Sequence, residues 1–503
     1  MKAIFIVFAV LMVAEVKAAE FNVKQFGAIG NGLVLDTTAL QTAIDAAKKT
    51  GGGLVSLPQG TYLCGSLRLK SDVTLQLQKG AILLGSTDPK DYREGALIVA
   101  DKQCNIGICG DGTIDGQGAE LCSKLGRQNP TGQRGIDGSY RGNGRPFLIR
   151  LTGCTNVTVR GVTLKASPAW VQEYRDCVRL TLERVTVRST AAWNNDGMDI
   201  NGCQDVVVRD CDVDADDDGI CLKSEGAAVN ACDHVLIENC RIRSSASALK
   251  FGTGSHVGFK NITVRNLDIY DTARSAIAIE SVDGALIENV NISHVRATNT
   301  GNAIFIRIGH RNTNAPVGTV RKVLISDVVV EVPAGQPDLK YPFPCPPDLR
   351  TPHNLIPSSI VGLPGHPVQN VSLRDVTIIY AGGGNRERGH ITLDKVPEVP
   401  RRYPEFTQFG NLPAWGFYIR HAEDISFSNC TFHCVAPDYR SAVVGDDVKK
   451  LELTACHLPP TGDEPVVTLN NVESATFQSC GPRLNPKSFL KTTGNCSEIT
   501  TQP

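Results

Sequence analysis

Short alternating apolar runs recur along the chain at a nearly constant interval. The first clear run starts at Cys154 and continues with Val157, Val159, Val162 and Leu164. Alternation with a period of two predicts β-strands, and the two-residue break between the pairs predicts a bend. The first five intervals between runs are 23, 26, 29, 27 and 28 residues, a spacing typical of solenoid proteins. The pattern therefore predicts coils stacked around an apolar interior.

Each run begins at an anchor residue that is small or apolar. In chain order, the anchors are Cys154, Cys177, Cys203, Cys232, Phe259, Ile287, Val320, Val368, Ala422, Val448 and Val472. Parallel coils that each pair with the next predict an all-β fold, a right-handed parallel β-helix or solenoid. Because the first coil would otherwise expose its core, we expect a short N-terminal cap helix after Asp36, with its buried face at Leu40, Ala43, Ile44 and Ala47.

The pattern divides the chain into three parts. Residues 1–19 combine a basic residue, an apolar stretch and small residues, which is typical of a signal peptide. Residues 20–480 are expected to form a single β-helix domain. The period is interrupted at about 333–367 and 379–421, where we expect long loops that either carry function or only pack on the helix. Residues 481–503 lose the pattern and are expected to form a C-terminal cap or tail.

The composition bounds the partners. The formal net charge is −1 at pH 7, which gives no electrostatic basis for binding nucleic acid or an anionic membrane. After the signal peptide, no apolar run is long enough to span a bilayer. We therefore expect an exported protein, secreted or periplasmic, that is monomeric and does not insert into a membrane.

The cysteines are expected to be structural. There are 17 of them, an odd number that cannot all pair within the chain. Export permits disulfides, and the pairing stays open. Most, however, recur at fixed repeat positions, as expected of small hydrophobic residues stacked in a core. They form two columns: Cys154, Cys177, Cys203 and Cys232, and then Cys211, Cys240, Cys430, Cys456 and Cys480.

One stretch, residues 193–224, concentrates carboxylates within this apolar pattern. It contains Asp196 and, about one coil later, Asp216, Asp217 and Asp218. Neighbouring coils lie about 4.8 Å apart, so Asp196 can lie beside Asp217 and Asp218. Such acids can hydrolyse a glycosidic bond, and inverting enzymes hold two carboxyl groups roughly 6.5–9.5 Å apart. Solvated turn carboxylates or a calcium site would use the same residue types; spacing alone favours hydrolysis only slightly.

The signal, the cap helix, the repeats and the acidic motifs together resemble glycoside hydrolase family 28, the polygalacturonases and rhamnogalacturonan hydrolases. In that family, Asn-Thr-Asp is followed one coil later by Gly-Asp-Asp. Residues 194–196 (Asn-Asn-Asp) and 216–218 (Asp-Asp-Asp) are similar to these motifs. The resemblance implies that Asp217 is the general acid and that Asp196 and Asp218 hold and activate water. It also implies that Asn194 contacts the substrate, with no cofactor and no metal.

Two motifs of the family are missing. Gly-His-Gly should fall near residues 246–248, which are Ala-Ser-Ala, and Arg-Ile-Lys near 278–280, which are Ala-Ile-Glu. In polygalacturonases these basic residues are thought to hold the substrate carboxylate. The bond-breaking residues therefore transfer to this chain, while the galacturonate-holding residues do not. Such departures look like the rhamnogalacturonan-directed or exo-acting bacterial members.

A group of charged residues is expected to replace the missing motifs. Strand alternation points four side chains away from the core, those of Lys223, Lys250, Glu280 and Arg307. We expect them to stack in one outward column beside the acids and to bind an anionic or hydroxyl-rich sugar. A solvated ladder of salt bridges would produce the same sequence pattern.

The sequence thus predicts a polygalacturonase-like, pectin-degrading hydrolase that cleaves α-galacturonosidic bonds by an inverting acid–base mechanism. Its expected partner is a pectic polysaccharide or oligosaccharide. The first alternative is a hydrolase of galacturonate–rhamnose linkages. The others are a calcium-dependent pectate lyase, which would give an unsaturated product, and a polysaccharide-binding β-helix without catalytic activity.

Overall fold

A computed structural model describes residues 19–132, 140, 142–226, 230–337, 352–462, 464–480 and 489–502. The predicted signal peptide lies outside this range except for its last residue. Within the described part, no helix is long and apolar enough to cross a membrane. The helices are α1 Thr37–Lys49, α2 Gly118–Gln128 and α3 Arg386–Gly389, and short 3₁₀ segments lie at Val23–Phe26, Pro89–Asp91, His353–Leu355 and Leu393–Lys395.

Strands make up most of the described chain. The first group is β1 Glu20–Asn22, β2 Asn31–Leu35, β3 Gly53–Leu57, β4 Gly60–Cys64, β5 Leu67–Arg68, β6 Val73–Leu77, β7 Ala81–Gly85, β8 Ala96–Asp101, β9 Cys104–Gly110, β10 Thr113–Asp115, β11 Phe147–Thr152, β12 Thr155–Arg160, β13 Thr163–Lys165, β14 Gln172–Arg175, β15 Val178–Glu183 and β16 Thr186–Ser189. The second group is β17 Met198–Asn201, β18 Gln204–Arg209, β19 Asp212–Ala215, β20 Ile220–Ser224, β21 Cys232–Ser244, β22 Leu249–Ser255, β23 Gly258–Ser281, β24 Leu286–Ile308, β25 Thr319–Val332, β26 Ser358–Val361, β27 Val368–Gly382, β28 Ala414–Ser428, β29 Thr431–Ala436, β30 Ser441–Thr454, β31 Val467–Gln478, β32 Leu490–Thr493 and β33 Ile499–Gln502.

These strands pair in parallel from one coil to the next and form a right-handed parallel β-helix, so the predicted fold class is confirmed. One face carries the acidic motifs and is called the site sheet. It consists of β5, β8, β11, β14, β17, β20 and β22, continued by the ends of β23 and β24 and by β26 and β28. Successive coils therefore present their side chains in rows along this face.

The predicted cap helix is α1, and the four residues of its predicted inner face are all buried. Asp36 precedes the helix as expected but does not cap it through its side chain. Its carboxylate instead accepts hydrogen bonds from the N–H groups of Ile29 and Gly30, at 2.6 and 2.9 Å. Asp36 thus ties the preceding turn to the helix start.

The interior is a ladder of like residues, as the anchors predicted. All eleven anchors are buried, and of the two cysteine columns only Cys480 is partly exposed. Every described cysteine is a free thiol. The prediction that these columns are small hydrophobic residues of the core is confirmed.

The second interruption of the period forms a long connection between β27 and β28, residues 383–413, called the covering loop. It contains α3 and packs on the site sheet through a small apolar cluster of its own. The loop side of that cluster includes Val396, Phe406, Phe409 and Leu412, and the sheet side includes Phe305 and Tyr418. The loop is therefore ordered against the face that carries the acids. In the first interruption, residues 338–351 lie outside the described part and β26 follows them.

Candidate active site

The three predicted catalytic acids lie just before the N-terminal ends of two adjacent strands of the site sheet. Asp196 comes just before β17, and Asp217 and Asp218 come just before β20. The N–H of Gly197 donates to the backbone oxygen of Asp218 at 2.8 Å and joins the two coils at this point. One carboxylate oxygen from each acid lies within 4.8 Å of those from the other two. The coil spacing therefore brings the acids together as predicted.

The acids lie close together. Their nearest oxygens are within 4.8 Å of one another; the roughly 6.5–9.5 Å expected above applies to whole carboxyl groups and stays a prediction. The reason is local: Asp217 and Asp218 are consecutive, and Asp196 is on the adjacent coil, about 4.8 Å away. Crowded carboxylates cannot all ionise easily, so at least one keeps its proton at higher pH than usual.

Asp218 is the member of the group that ionises most readily. Lys250 Nζ lies 3.1 Å from Asp218 Oδ2, and the N–H of Ser247 donates to Oδ1 at 3.2 Å. Burial acts to raise the pKa of Asp218, but the positive charges of Lys250, Lys223 and Arg274 outweigh it and hold the pKa below 3.8. Asp218 is therefore available as a base in mildly acidic solution.

Asp217 shows the opposite shift. Burial and the adjacent charge of Asp218 raise the pKa of Asp217 above 3.8, although Arg274 acts against them. Its side chain is more exposed than those of the other two acids. Asn194 Nδ2 donates to Asp217 Oδ2 at 3.2 Å, and Arg145 donates to Asn194 Oδ1 at 3.0 Å. A carboxyl group that is accessible and holds its proton suits proton donation.

Lys223 connects Asp196 to a fourth carboxylate, that of Asp199. Lys223 Nζ lies 3.4 Å from an oxygen of each, and 4.6 Å from the centre of the Trp170 ring. Burial raises the pKa of both aspartates well above 3.8, and the charge of Asp217 adds to the effect at Asp196. Asp199 was not predicted as a site residue; its signal was a buried acid between the two apolar residues of β17, Met198 and Ile200.

The prediction of one outward column is wrong. Strand pairing puts Lys250 level with Ala278, and Glu280 level with Arg307. Lys250 stands between the two inward residues of its strand, whereas Lys223 and Glu280 each follow the second inward residue. Lys250 is therefore two positions away from the row of the other three. It nevertheless reaches the acids, and its ammonium lies 4.0 Å from Glu280 Oε2.

Arg307 points outward as predicted but lies beneath the covering loop. Its guanidinium donates to the backbone oxygens of Gly362 and Glu398, at 2.9 and 2.6 Å, and lies 5.0 Å from the centre of the Phe409 ring. It is 1% exposed. The contacts described for Arg307 hold the loop on the sheet, and they do not place it in the group around the acids.

Three residues near the acids escaped the sequence argument: Arg274, Tyr403 and Glu405. Arg274 is half-buried and forms an ion pair with Glu405 of the covering loop. Lys250 Nζ donates to the Tyr403 hydroxyl at 3.3 Å, and Tyr403 is 45% exposed. Loop residues follow no period, so their only signal was the interruption of the repeat. The covering loop thus packs on the helix and also contributes side chains to the site.

The positions of the two missing motifs are now defined. Ser247 stands at the place of the absent histidine, and the N–H of Arg274 on the next coil donates to Ala246 O at 2.9 Å. Glu280 stands at the end of the absent Arg-Ile-Lys. Burial raises the pKa of Glu280 to about 8, with Lys250 lowering it and Glu405 raising it. The site thus has a carboxyl group with a raised pKa where the family pattern has a cation.

These contacts favour acid–base chemistry over cation binding. Three carboxylates of this kind are a ligand set that calcium accepts. Here, however, the ammonium groups of Lys250 and Lys223 lie 3.1 and 3.4 Å from Asp218 and Asp196 and supply the countercharge. Asp217 and Asp218 differ in the direction of their pKa shifts, which is how paired acids divide the roles of acid and base.

A parallel β-helix that carries two adjacent aspartates with opposite pKa shifts on one face fits a glycoside hydrolase. The sequence model of glycosyl hydrolases family 28 matches residues 50–338, more than half of the chain. The chain belongs to this family, which confirms the resemblance inferred from its motifs.

Two curated relatives are named for related activities. A probable polygalacturonase of Vitis vinifera is 24% identical over 58% of this chain and 58% of its own length. An exo-poly-α-D-galacturonosidase of Dickeya chrysanthemi is 29% identical over 40% of this chain and 41% of its own length. The chain thus spans about half the length of these relatives.

A solved structure extends the likeness over most of the fold. The family 28 exopolygalacturonase of Yersinia enterocolitica is similar with a TM-score of 0.65 and 21% identity, covering 87% of this chain and 78% of that chain. At this identity the likeness supports the β-helix alone.

Proposed function

We propose that the chain is an exported, pectin-degrading hydrolase that cleaves α-galacturonosidic bonds in the manner of a polygalacturonase. One observation carries the proposal: Asp217 and Asp218 lie beside Asp196 and have pKa values shifted in opposite directions. Family membership and the names of the two curated relatives support a pectic substrate. The composition of residues 1–19 supports export, to the periplasm or outside the cell.

In the proposed reaction, Asp217 donates its proton to the glycosidic oxygen as the bond to the anomeric carbon breaks. A water molecule held by Asp196 and Asp218 attacks that carbon from the opposite face and passes a proton to Asp218. This displacement inverts the anomeric configuration. Asn194 orients the Asp217 carboxyl group through its 3.2 Å hydrogen bond.

Tyr403 is proposed to bind the substrate, with Lys250 behind it. The two side chains are hydrogen-bonded at 3.3 Å, and Thr253 Oγ1 lies 3.4 Å from the same tyrosine hydroxyl. The Tyr403 side chain is 45% exposed, so its hydroxyl can donate to the carboxylate of a galacturonate ring, while the buried Lys250 holds that hydroxyl in position. They stand in for the absent histidine and Arg-Ile-Lys of the family pattern.

The test is product analysis on polygalacturonate and on rhamnogalacturonan. With polygalacturonate we expect saturated galacturonate products, released as the inverted anomer when the reaction is followed by NMR. Asp217→Asn should lower kcat by about 10²–10⁴-fold, the usual contribution of general acid catalysis. The matched control is Asp205→Asn, at an exposed position of β18 where φ is 54° and asparagine is readily accommodated.

Each alternative gives a different result. Cleavage of rhamnogalacturonan alone would identify a galacturonate–rhamnose hydrolase, and Glu280 in place of a cation is the observation that favours it. Unsaturated products that disappear with a chelator would identify a lyase. Binding without any product would identify a polysaccharide-binding protein. Full activity of Asp217→Asn would contradict the assignment of the acid.

A further inference from the structure

A polar cavity lies on the site sheet, on the N-terminal side of the acids. Its volume is about 440 Å³. Three guanidinium groups and three carboxylates line it, those of Arg68, Arg150, Arg175, Glu94, Asp101 and Glu173. None of these residues takes part in the proposed reaction.

The cavity lies on the same sheet face as the acids, two strands away from β17. Arg150 on β11 pairs with Glu173 on β14, and Glu173 pairs with Asp199 on β17. Two coil steps, about 10 Å, therefore separate Arg150 from the strand of Asp199. A polymer that lies along the sheet and is cleaved at the acids passes over this cavity if it extends toward the N-terminus.

The covering loop favours that direction. It contacts Lys250 through Tyr403 and Arg274 through Glu405, on the C-terminal side of the acids. On the N-terminal side, the rings of Phe147 and Trp170 stack 5.4 Å apart, and both are partly exposed. Partly exposed rings give a sugar chain an apolar edge to follow.

The charges in the cavity are not equivalent. Arg68 pairs with Glu94 at 2.6 Å, and Arg175 pairs with Glu173 at 2.5 Å. Arg150 donates to the backbone oxygen of Glu94 and lies 5.7 Å from the centre of the Phe147 ring. Among the described residues, no carboxylate lies within ion-pair distance of Arg150. Arg150 is therefore the cation of this cavity that can still pair with an anion.

We infer that this cavity is a distal subsite for a uronic acid residue of the substrate chain. Arg150 binds the carboxylate of that residue, since a guanidinium pairs with a carboxylate through two parallel N–H bonds. Glu94 and Asp101 accept hydrogen bonds from its hydroxyl groups. A mixture of one available cation and several acceptors matches a uronic acid better than it matches a phosphate or sulfate polymer. The inference rests on the proposed function, because it assigns the substrate of the same groove.

The test is calorimetric binding of digalacturonate and pentagalacturonate to the inactive Asp217→Asn protein. Adding Arg150→Gln should weaken pentagalacturonate binding on the order of tenfold and leave digalacturonate unchanged, because only the longer chain reaches the cavity. Arg150→Lys keeps the positive charge but lacks the paired N–H groups. Its affinity for pentagalacturonate should lie between that of the protein with Arg150 and that of Arg150→Gln. Arg160→Gln, the same change at an exposed position of a different face on β12, should leave both affinities unchanged.

Unchanged pentagalacturonate binding in Arg150→Gln would overturn the subsite, and so would an equal loss for both oligomers. The subsite would also be overturned if the Asp217→Asn protein, without a change at Arg150, bound neither oligomer. The proposed function fails separately, if the wild-type protein releases no galacturonate while the length-dependent effect of Arg150 on binding persists.

Discussion

Two buried lysines determine the charge state of the acids. Lys250 is fully buried at 3.1 Å from Asp218, and Lys223 lies 3.4 Å from Asp196. A carboxylate removed from water keeps its proton unless a nearby positive charge compensates. The opposite shifts of Asp217 and Asp218, two adjacent residues, arise because the lysine ammonium lies on the Asp218 side. The pH range of the reaction therefore depends on the lysines as well as on the acids.

The first prediction concerns Lys250. In Lys250→Met, the carboxylate of Asp218 loses its nearest cation, so its pKa should rise. Because Asp218 acts in the ionised form, the acidic limb of the kcat–pH profile should move to higher pH by about 1–3 units. The measurement is kcat at saturating substrate from pH 3 to 8, with Lys79→Met as an exposed control. An acidic limb that stays in place would show that Lys250 does not set the charge of Asp218.

Single residues were predictable where a motif or a strand period defined them. The motifs identified Asp196, Asp217 and Asp218, and alternation pointed Lys223 and Lys250 outward. The column prediction was wrong because strand alternation determines only which face a residue is on. Two residues on the same face can still lie two positions apart along their strands, and therefore in different rows. The pairing of Arg274 on a strand with Glu405 on a loop joins distant parts of the chain and has no period in the sequence.

At the scale of elements, the covering loop is held by a compact ionic network. Its Glu398 lies 2.7 Å from Arg420 and 3.0 Å from His421, and the other side of His421 lies 2.6 Å from Asp447. Arg420 also pairs with Asp446 at 3.1 Å. This anchor lies a few residues before Tyr403 and Glu405, the loop residues that contact Lys250 and Arg274.

The second prediction is that the anchor weakens as the pH rises. Burial acts to lower the pKa of His421, but the hydrogen bonds to Glu398 and Asp447 outweigh it and hold the pKa above 6.5, despite the nearby charge of Arg420. A raised pKa in the folded state stabilises the loop fully below pH 6.5 and loses this effect as the pH rises through the raised value. Amide hydrogen exchange in residues 396–409, corrected for the intrinsic rate, should therefore become less protected above neutral pH.

His421→Gln should remove that pH dependence, because the uncharged side chain does not titrate. His433→Gln, at an exposed position on β29, is the matched control and should keep it. If protection in the loop changed with pH to the same extent in His421→Gln as in the wild type, the anchor would have to titrate through another group.

The strands were predictable as elements because each coil repeats the same inward positions, so the anchors locate β12, β15, β18 and the strands that follow. The covering loop could only be located as a gap. Its course over the sheet is set by Phe406, Phe409 and Leu412 packing on Phe305. Such contacts between a loop and a distant coil leave no regular spacing in the sequence.

For the whole molecule, stability comes from an apolar ladder in which cysteine serves as a small core residue. The thiols of Cys203 and Cys232 donate to backbone oxygens of the preceding coil, Tyr174 O at 3.1 Å and Ile200 O at 3.2 Å. Burial raises the pKa of Cys232 to about 12. A buried thiol that keeps its proton exchanges slowly with disulfides, since the thiolate is the reactive form. The repeat predicted these columns, and the stacking of coils explains why they need no crosslink.

This gives the last prediction, on the state of the thiols in an exported protein. If the ladder protects them, protein recovered from the periplasm or the medium should keep the buried cysteines of the two columns reduced. Denaturation with iodoacetamide and no reductant, followed by peptide mapping, should label Cys154, Cys177, Cys211 and Cys240 as fully as in a sample reduced beforehand. Cysteines that lie next to each other in adjacent coils, such as Cys211 and Cys240, are the ones placed to form a crosslink. Labelling of those two only after reduction would show that oxidation reaches the core, and that burial alone does not protect the columns.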